Sequence, residues 1–475
     1  MESPTGSESE MIQVTRSPDH PITRSPDRPT LGLSMIVKDA EADLARCLES
    51  AKGVVDEIVI GDTGSTDASI DIACGYGARV ITVPWENDFS KARNSVLEES
   101  RTDWILFMDA DEVLDPAASQ SIPALLARQE IAGYKVTIWN YVLTLTNRLW
   151  DSPAKPNPNR LEAARQYPAY VEHQNIRLFR RHPEIYFEGR VHETTGHRIL
   201  ATGRQLAEAD FVIHHFGLAV DAETRLRKSK FYRELGREKV RDKPNDAQAH
   251  FELGIEELDT FRDPAAALTC FERVIELTPK SHRAWAFAGI ALVRLERYQE
   301  GLKRLKRAEQ LGGRSVLVFE TQGDAYYHAG DFHAACRCYR KAHEFGGAAA
   351  IVESKLGVSE ARLGRTAAGV RHMERAIERE PNFSELYDIL IMAAVWLGNS
   401  GLAADTAERR LAAVEPTAEN FLRAASIRAQ LGEWPRVEEI LRAGRERFPD
   451  APKLGQAWAE LQQRTGQSLA AAKPA

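Results

Sequence analysis

A repeat of about 34 residues runs through the C-terminal half of this 475-residue chain. Three series of residues keep this spacing: Gly254, Gly289, Gly323 and Gly357; Ala267, Gly301, Ala335 and Gly369; and Phe271, Leu305, Tyr339 and Met373. The small residues are expected where two helices touch. A helix-turn-helix unit of this length cannot bury its own apolar face, so neighbouring units must stack. Residues 247–475 are therefore predicted to form an all-α superhelix of about six units with a terminal helix.

Residues 31–217 follow a different pattern, in which short apolar runs alternate with amphipathic segments. The runs at 31–37 and 57–61 are typical of buried strands. Between them, an i, i+3, i+4, i+7 stripe predicts a helix, its members being Leu44, Cys47, Leu48 and Ala51. Further strands and helices follow, and right-handed crossovers then give a Rossmann-like α/β domain with a mostly parallel sheet. Ligands of such sheets bind at the carboxyl ends of the strands.

The segments that flank this domain are polar. Residues 1–30 carry the same pentapeptide twice, at 15–19 and 23–27, and are predicted to be a disordered tail. Residues 218–246 are charged and are predicted to form a helical connector to the repeats.

The apolar run 104–108 is predicted to be a central strand, and three acids follow it. Side chains at i and i+2 of an extended segment point the same way, so Asp109 and Asp111 can present two carboxylates to one divalent cation. A nucleotide diphosphate would supply further oxygen ligands. An acidic loop without a ligand is the alternative, and the Asp-x-Asp pattern alone does not decide between them.

Polar residues also follow the two preceding strands. Asp62 ends the second strand beside the expected pocket, which favours contact with a nucleotide. Asp88 or Ser90 is expected to cap the next helix. Arg93 falls near the start of that helix, where the helix dipole disfavours a cation unless an anion such as a diphosphate lies near it. A solvent-exposed arginine is the alternative.

Four short segments carry a recognisable combination of motifs: Ser-Met-Ile-Val-Lys at 34–38, Asp-Thr-Gly-Ser-Thr-Asp at 62–67, Asp-Phe-Ser-Lys-Ala-Arg-Asn at 88–94, and Met-Asp-Ala-Asp-Glu at 108–112. In this order they resemble family 2 glycosyltransferases of the GT-A fold. The branch with lipooligosaccharide glucosyltransferases and sublancin-type peptide S-glycosyltransferases is the most similar, over about residues 31–217. The 34-residue units resemble tetratricopeptide repeats.

The resemblance implies an inverting hexosyltransferase that uses a nucleotide diphosphate sugar, with a UDP-sugar expected, and a divalent cation. On this likeness Asp62 would contact the base, Asp109 the ribose and cation, and Asp111 the cation and diphosphate. Three further donor-binding residues are expected on the same likeness: Ser34, Lys38 and Arg93.

The acceptor side is expected in the second half of the α/β domain. Displacement at an anomeric carbon needs a group that takes the proton of the attacking acceptor. Glu193 is the candidate base, and it resembles the acid found at this place in GT-A enzymes. His192 is the alternative base. A structural salt bridge from Glu193 to Arg190 or Arg198 would leave Glu193 without that role.

Two adjacent histidines, 214 and 215, follow an apolar run. Neighbouring side chains on a strand point to opposite faces, so at most one of them can face the pocket. The resemblance favours His215 as a third metal or diphosphate ligand. Imidazole suits Mn²⁺ better than Mg²⁺.

Composition narrows the remaining possibilities. The net charge of −7 gives no basis for binding nucleic acid or a membrane surface. Five scattered cysteines are expected to be reduced thiols. The chain shows no membrane-spanning run and no signal-peptide core, so a cytoplasmic protein is expected, and a peripheral membrane location stays open.

Partners and alternative functions also stay open at this stage. The acceptor could be a saccharide, a lipid-linked glycan or a peptide, and the repeats could dock it or another protein. The repeats could equally be a scaffold or a dimerisation surface. One alternative function is a repeat adaptor whose transferase domain is inactive. A sugar nucleotidyltransferase is disfavoured, because the position of its glycine-rich loop holds Lys38-Asp39-Ala40.

Overall fold

The computed structural model describes residues 14–15, 28–143, 148–149, 152–217, 222–346 and 349–471. The chain divides into two compact units, residues 1–262 and 263–475. The division falls after Arg262 and not after residue 246, where the sequence pattern had suggested it. Most of the predicted disordered tail lies outside the described residues. Val14–Thr15, which are described, pair antiparallel with residues 80–81.

The first unit contains a mixed sheet and seven described α-helices. Its strands are β1 (Val14–Thr15), β2 (Leu31–Val37), β3 (Glu57–Asp62), β4 (Arg79–Thr82), β5 (Trp104–Phe107), β6 (Glu112–Leu114), β7 (Ile131–Val142), β8 (Arg148–Leu149), β9 (Ser152–Pro153), β10 (Lys155–Pro156), β11 (Ala169–Arg180) and β12 (Gln205–His215). Its α-helices are α1 (Leu44–Ala51), α2 (Ser69–Gly75), α3 (Phe89–Glu99), α4 (Ala118–Leu126), α5 (Gly196–Ala201), α6 (Ala222–Asp242) and α7 (Ala247–Ile255).

The described strands of the main sheet follow the order β1-β4-β3-β2-β5-β11-β7-β12-β6, and β10 pairs with β11. β2 to β5 run parallel to one another, as predicted, whereas β11 pairs antiparallel with both β5 and β7. The register sets Val37 beside Asp62, and Asp62 beside Thr82. The carboxyl ends of three strands therefore meet at one edge of the sheet.

Local patterns explain how the helices are placed. The four residues buried by α1 are the four that form the predicted apolar stripe: Leu44, Cys47, Leu48 and Ala51. They join one core with Leu33 and Met35 of β2, on a single face of the sheet. Ile36 points to the other face and packs against Ala92 and Val96 of α3. The sheet therefore lies between two layers of helices.

Asp88 is the N-cap of α3, in agreement with the sequence prediction, and its carboxylate accepts a hydrogen bond from the backbone N–H of Lys91 at 3.1 Å. We expect Asp88→Ala to destabilise the start of α3 by about 1 kcal/mol, because this N–H loses its acceptor. Amide hydrogen exchange of α3 in the full chain would then be about fivefold faster. Asp43→Ala is the control, since the Asp43 side chain makes no capping bond at α1. Equal changes in α1 and α3 would contradict the capping role.

The predicted connector is helical, and it is part of the first unit. Helix α6 runs from Ala222 to Asp242 and packs against α7 and the π-helical turn Glu256–Thr260. Arg237 of α6 forms an ion pair with Glu257 at 3.0 Å, and Glu257 is 2% exposed. The charged connector therefore includes residues that pair with buried partners.

The second unit consists of twelve described helices that pack in consecutive pairs. They are α8 (Pro264–Leu277), α9 (His282–Arg294), α10 (Tyr298–Gln310), α11 (Val316–His328), α12 (Phe332–Gly346), α13 (Ala350–Arg362), α14 (Thr366–Arg379), α15 (Ser384–Trp396), α16 (Ser400–Ala413), α17 (Ala418–Gln430), α18 (Trp434–Arg447) and α19 (Pro452–Ala471). Across 28–143, 152–217, 222–346 and 349–471, no helix has both the length and the apolar character that a membrane crossing needs.

The repeating small residues lie where paired helices touch, as the sequence predicted. A Cβ on Gly289 would lie 2.7 Å from Cγ of Leu305, and a Cβ on Gly357 would lie 2.5 Å from the carbonyl oxygen of Gly369. A larger side chain at either position would clash with the facing helix. At these helix pairs the 34-residue period therefore reflects a steric requirement for a small residue.

Candidate active site

Asp109 and Asp111 lie in a turn that leads to Glu112 at the start of β6, so the sequence-based assumption of an extended segment is wrong. β5 ends at Phe107, and the N–H of Glu112 donates to the carbonyl of Asp109 at 3.1 Å. Because the chain reverses here, side chains two residues apart need not point the same way. Asp109 lies against two arginines, whereas Asp111 lies against His215, with Oδ1 3.5 Å from Nε2.

Arg93 is buried at the centre of the site, so the alternative of a solvent-exposed arginine is wrong. Its Nη2 donates to Asp109 at 2.6 Å, its Nε donates to Glu193, and its guanidinium lies 5.0 Å from the ring centroid of Phe107. Burial would lower the pKa of Arg93, but Asp109 and Glu193 outweigh this effect and raise that pKa. The anions that stabilise this cation are carboxylates of the protein.

Arg177 is a second buried arginine that the sequence analysis missed. Its Nη2 lies 2.6 Å from Oε1 of Glu112 and 3.4 Å from Oδ2 of Asp109. The register between β11 and β7 shifts on either side of Arg177, as at a β-bulge, which turns a side chain away from its regular direction. An arginine among the apolar residues Ile176, Leu178 and Phe179 was the available signal.

The surroundings of Asp109 and Glu112 shift the pKa values of these two acids in opposite directions. Loss of surrounding water would raise the pKa of Asp109, but Arg93 and Arg177 outweigh it and hold that pKa below its usual range. Burial raises the pKa of Glu112 to about 7, despite the opposing charge of Arg177. The Glu112 carboxylate also accepts the backbone N–H of Asp109 at 2.8 Å, so it stabilises the turn that carries the other acids.

Glu193, the predicted base, lies on a short turn beside Arg93. The turn is closed by two backbone hydrogen bonds of 3.1 Å between Glu188 and Thr194. The Glu193 side chain is 10% exposed, and its ion pair is to Arg93. The predicted structural partners lie elsewhere: Arg190 pairs with Asp242 at 2.7 Å, and Arg198 lies over the Tyr186 ring. His192, the alternative base, is exposed.

The two histidines of β12 point to different surroundings. His214 is fully buried between the hydroxyl of Tyr141 at 2.8 Å and Asp115 at 3.0 Å. His215 faces Asp111, and its Nδ1 lies 2.7 Å from the side-chain oxygen of Asn140. An amide oxygen only accepts, so Nδ1 carries the proton and the lone pair of neutral His215 is on Nε2, toward Asp111.

The predicted donor-binding residues outside this cluster differ in their accessibility. Asp62 is 4% exposed, and its carboxylate accepts the backbone N–H groups of Gly64 and Ser65, each at 3.1 Å. Ser34 is 2% exposed in the middle of β2. Lys38 is exposed just after that strand. Asp62 and Lys38 therefore lie at the carboxyl edge of the sheet, whereas Ser34 is inside it.

Tyr232 of α6 also lies near the acids, although the sequence analysis assigned this helix to the connector and gave it no role in the site. Its ring stacks on Phe89, with centroids 5.9 Å apart. The residue is 37% exposed, and loss of water around its hydroxyl, together with the charges of Asp109, Asp111 and Glu193, raises the pKa of Tyr232 to about 12. The connector helix therefore lies close to the acids of the site.

Asp111 and His215 are the pair that best fits a divalent cation. They combine a carboxylate oxygen with an imidazole nitrogen whose tautomer is fixed, a donor set suited to Mn²⁺. Asp109 would have to exchange a contact with Arg93 or Arg177 to join them. Among the described residues, no three His, Cys, Asp or Glu side chains are arranged to hold a metal by themselves.

Comparison with known proteins identifies the first unit. Residues 34–185 match the family model of glycosyl transferase family 2. A TPR repeat-containing protein of Synechococcus elongatus is 30% identical over 230 residues, which are 47% of this chain and 51% of the relative. The prophage-derived glycosyltransferase SunS of Bacillus subtilis is 27% identical over 167 residues, which are 35% of this chain and 34% of the relative. The lipopolysaccharide core biosynthesis glycosyltransferase LpsC of Rhizobium meliloti is 35% identical over 123 residues, which are 24% of this chain and 45% of the relative. The matched segments span about half or less of these relatives. The first unit therefore holds a family 2 glycosyltransferase domain, and the chain joins it to tetratricopeptide repeats.

Proposed function

We propose that this chain is an inverting glycosyltransferase that moves a hexose from a nucleotide diphosphate sugar, most simply a UDP-sugar, to a saccharide, lipid-linked or peptide acceptor. One observation carries the proposal. The buried guanidinium of Arg93 binds Asp109 on one side and Glu193 on the other, so a single side chain fixes the candidate base relative to the candidate donor-binding acids. The repeats would dock the acceptor or a protein that delivers it.

Each residue has a distinct task in this proposal. Asp62 and Asp109 would bind the nucleoside, and Asp111 with His215 would face the diphosphate. Glu193 would take the proton of the acceptor as that group attacks the anomeric carbon from the side opposite the leaving diphosphate, which inverts the configuration. Arg93 would keep the Glu193 carboxylate oriented toward the acceptor. A divalent cation, when bound, supplies positive charge that stabilises the departing diphosphate.

A donor screen tests the proposal directly. The purified full chain would be incubated with UDP-, GDP- and dTDP-hexoses, with Mn²⁺ or Mg²⁺ or with EDTA, and release of the nucleotide diphosphate would be measured. Release from one donor class, dependent on the cation and increased by an acceptor, is the expected result. If no donor is hydrolysed, and none raises the unfolding temperature of the protein, the transferase proposal fails and the repeat adaptor is left.

Glu193→Gln tests the base. Glutamine keeps the shape of the side chain and a contact to Arg93 but cannot accept a proton, so transfer should fall by about 10²- to 10⁴-fold. Donor affinity, measured by titration calorimetry, should stay close to that of the parent protein. Glu188→Gln is a matched control, because Glu188 begins the same turn but pairs with His197. If His192→Asn loses transfer while Glu193→Gln retains it, the role belongs to His192.

A further inference from the structure

A lysine of the connector helix reaches the turn that carries Glu193. Lys239 lies on α6 and is 8% exposed. Its ammonium group donates to the carbonyl oxygen of Val191 at 2.8 Å and to the carboxylate of Glu252, on α7, at 2.8 Å. A buried ammonium group is costly unless it is paired, so these two partners keep Lys239 in one place.

The turn itself depends on outside contacts for its position. Gly189 has a φ of +112°, and a Cβ there would lie 3.3 Å from the Lys239 ammonium nitrogen. The carbonyl of Arg190 accepts the backbone N–H of Phe89, the first residue of α3, at 2.9 Å. Within the turn, Arg190 is therefore fixed to α3, and the next residue, Val191, is fixed to α6.

We propose that Lys239 is a positioning residue for the transfer reaction: it holds the Val191 carbonyl, and thereby sets where the Glu193 carboxylate lies beside Arg93. This inference rests on the proposed function. It extends that function by giving α6, the helix after the last strand, a part in catalysis. Val191 is two residues from Glu193, so movement of this carbonyl moves the base directly. A displacement of about 1 Å of a reacting group can reduce a rate by about 10²-fold.

The test compares Lys239→Met with the parent in the full chain. We expect kcat for nucleotide diphosphate release to fall by about 10- to 100-fold, with KM for the nucleotide sugar changed less than about twofold, because Glu193 on this turn is linked to Asp109 through Arg93. Lys239→Arg, which keeps a cation of similar reach, should recover part of the rate. Amide hydrogen exchange at residues 190–194 should be faster in Lys239→Met.

Two further variants separate positioning from simple destabilisation. Arg237→Met removes another ion pair between α6 and the segment after it, but Arg237 pairs with Glu234 and Glu257. Its kcat should match that of the parent. Lys239→Met/Glu252→Gln removes the carboxylate left unpaired by the single change, so stability should recover while kcat stays low. Full recovery of kcat in the double variant, or an equal loss in Arg237→Met, would overturn the inference.

The outcomes for the two proposals differ. If the transferase proposal is wrong, the parent releases no nucleotide diphosphate from any donor. If the inference about Lys239 is wrong, the backbone amides of residues 190–194 exchange hydrogen as fast in Lys239→Met as in the parent. This result does not depend on whether the protein is active.

Discussion

Asp111→Asn should reduce nucleotide diphosphate release by about 10²- to 10³-fold while the protein stays folded. Asparagine has nearly the same shape as aspartate but carries no charge, so the site would lose an anionic ligand for a cation on the diphosphate. The side chain is 26% exposed, and its ion-pair contact is to His215, so little structural stability depends on it. Initial rates with saturating donor and Mn²⁺, together with the unfolding temperature, measure both parts of the expectation.

The matched control is Asp71→Asn, which removes an exposed carboxylate on α2 and should leave the rate unchanged. EDTA should lower the rate of the parent to about the level of Asp111→Asn and have little further effect on the variant. A parental rate in Asp111→Asn would remove Asp111 from the site. If EDTA does not change the rate of the parent, the reaction does not need a divalent cation.

Arg177→Met is expected to destabilise the first unit by about 3–5 kcal/mol, because it leaves a buried carboxylate without its cation. Glu112 is 1% exposed and lies 2.6 Å from Arg177. The most protected amides of β5 and β11 report opening of this unit within the full chain, so hydrogen exchange is the measurement. The double variant Arg177→Met/Glu112→Gln should recover much of the lost stability, because no carboxylate is then left unpaired at position 112.

The loss in Arg177→Met should depend on pH. Burial already raises the pKa of Glu112 to about 7, and removal of Arg177 raises it further. When the pKa of a carboxyl group is higher in the folded than in the unfolded state, the stability of the fold decreases as pH rises from the unfolded-state pKa to the folded-state pKa. The stability difference from the parent should therefore be larger at pH 8 than at pH 6. Arg128→Met, which breaks an exposed pair with Glu130, should change stability little at either pH.

Sequence reasoning succeeded where a short stretch of chain decides the structure. The apolar stripe of α1 follows from local periodicity, the cap at Asp88 from capping chemistry, and the parallel pairing of β2 to β5 from right-handed connections between neighbouring strands. The repeated glycines predicted close helix contacts, because only a small residue fits where two helices touch, as at Gly289 and Gly357. Each of these features involves residues that are close in sequence or that recur at a fixed interval.

Sequence-based prediction failed where the two residues of a contact are distant in sequence. Arg93 and Glu193 are 100 positions apart, and Arg177 and Glu112 are 65 positions apart, so spacing gives no indication of either pair. The turn after β5 was missed for a related reason. The Glu112 carboxylate accepts the backbone N–H of Asp109, and this local bond competes with an extended chain.

The contact between Lys239 and Glu252 bears on how this protein can be engineered. A chimera that grafts other repeats onto the transferase domain has an obvious splice point at residue 246, where the connector helix has ended. That junction would discard Glu252 and leave the ammonium group of Lys239 without its carboxylate. A junction after Arg262 keeps α7 with its parent, so the exchanged module would begin with the helix at Pro264.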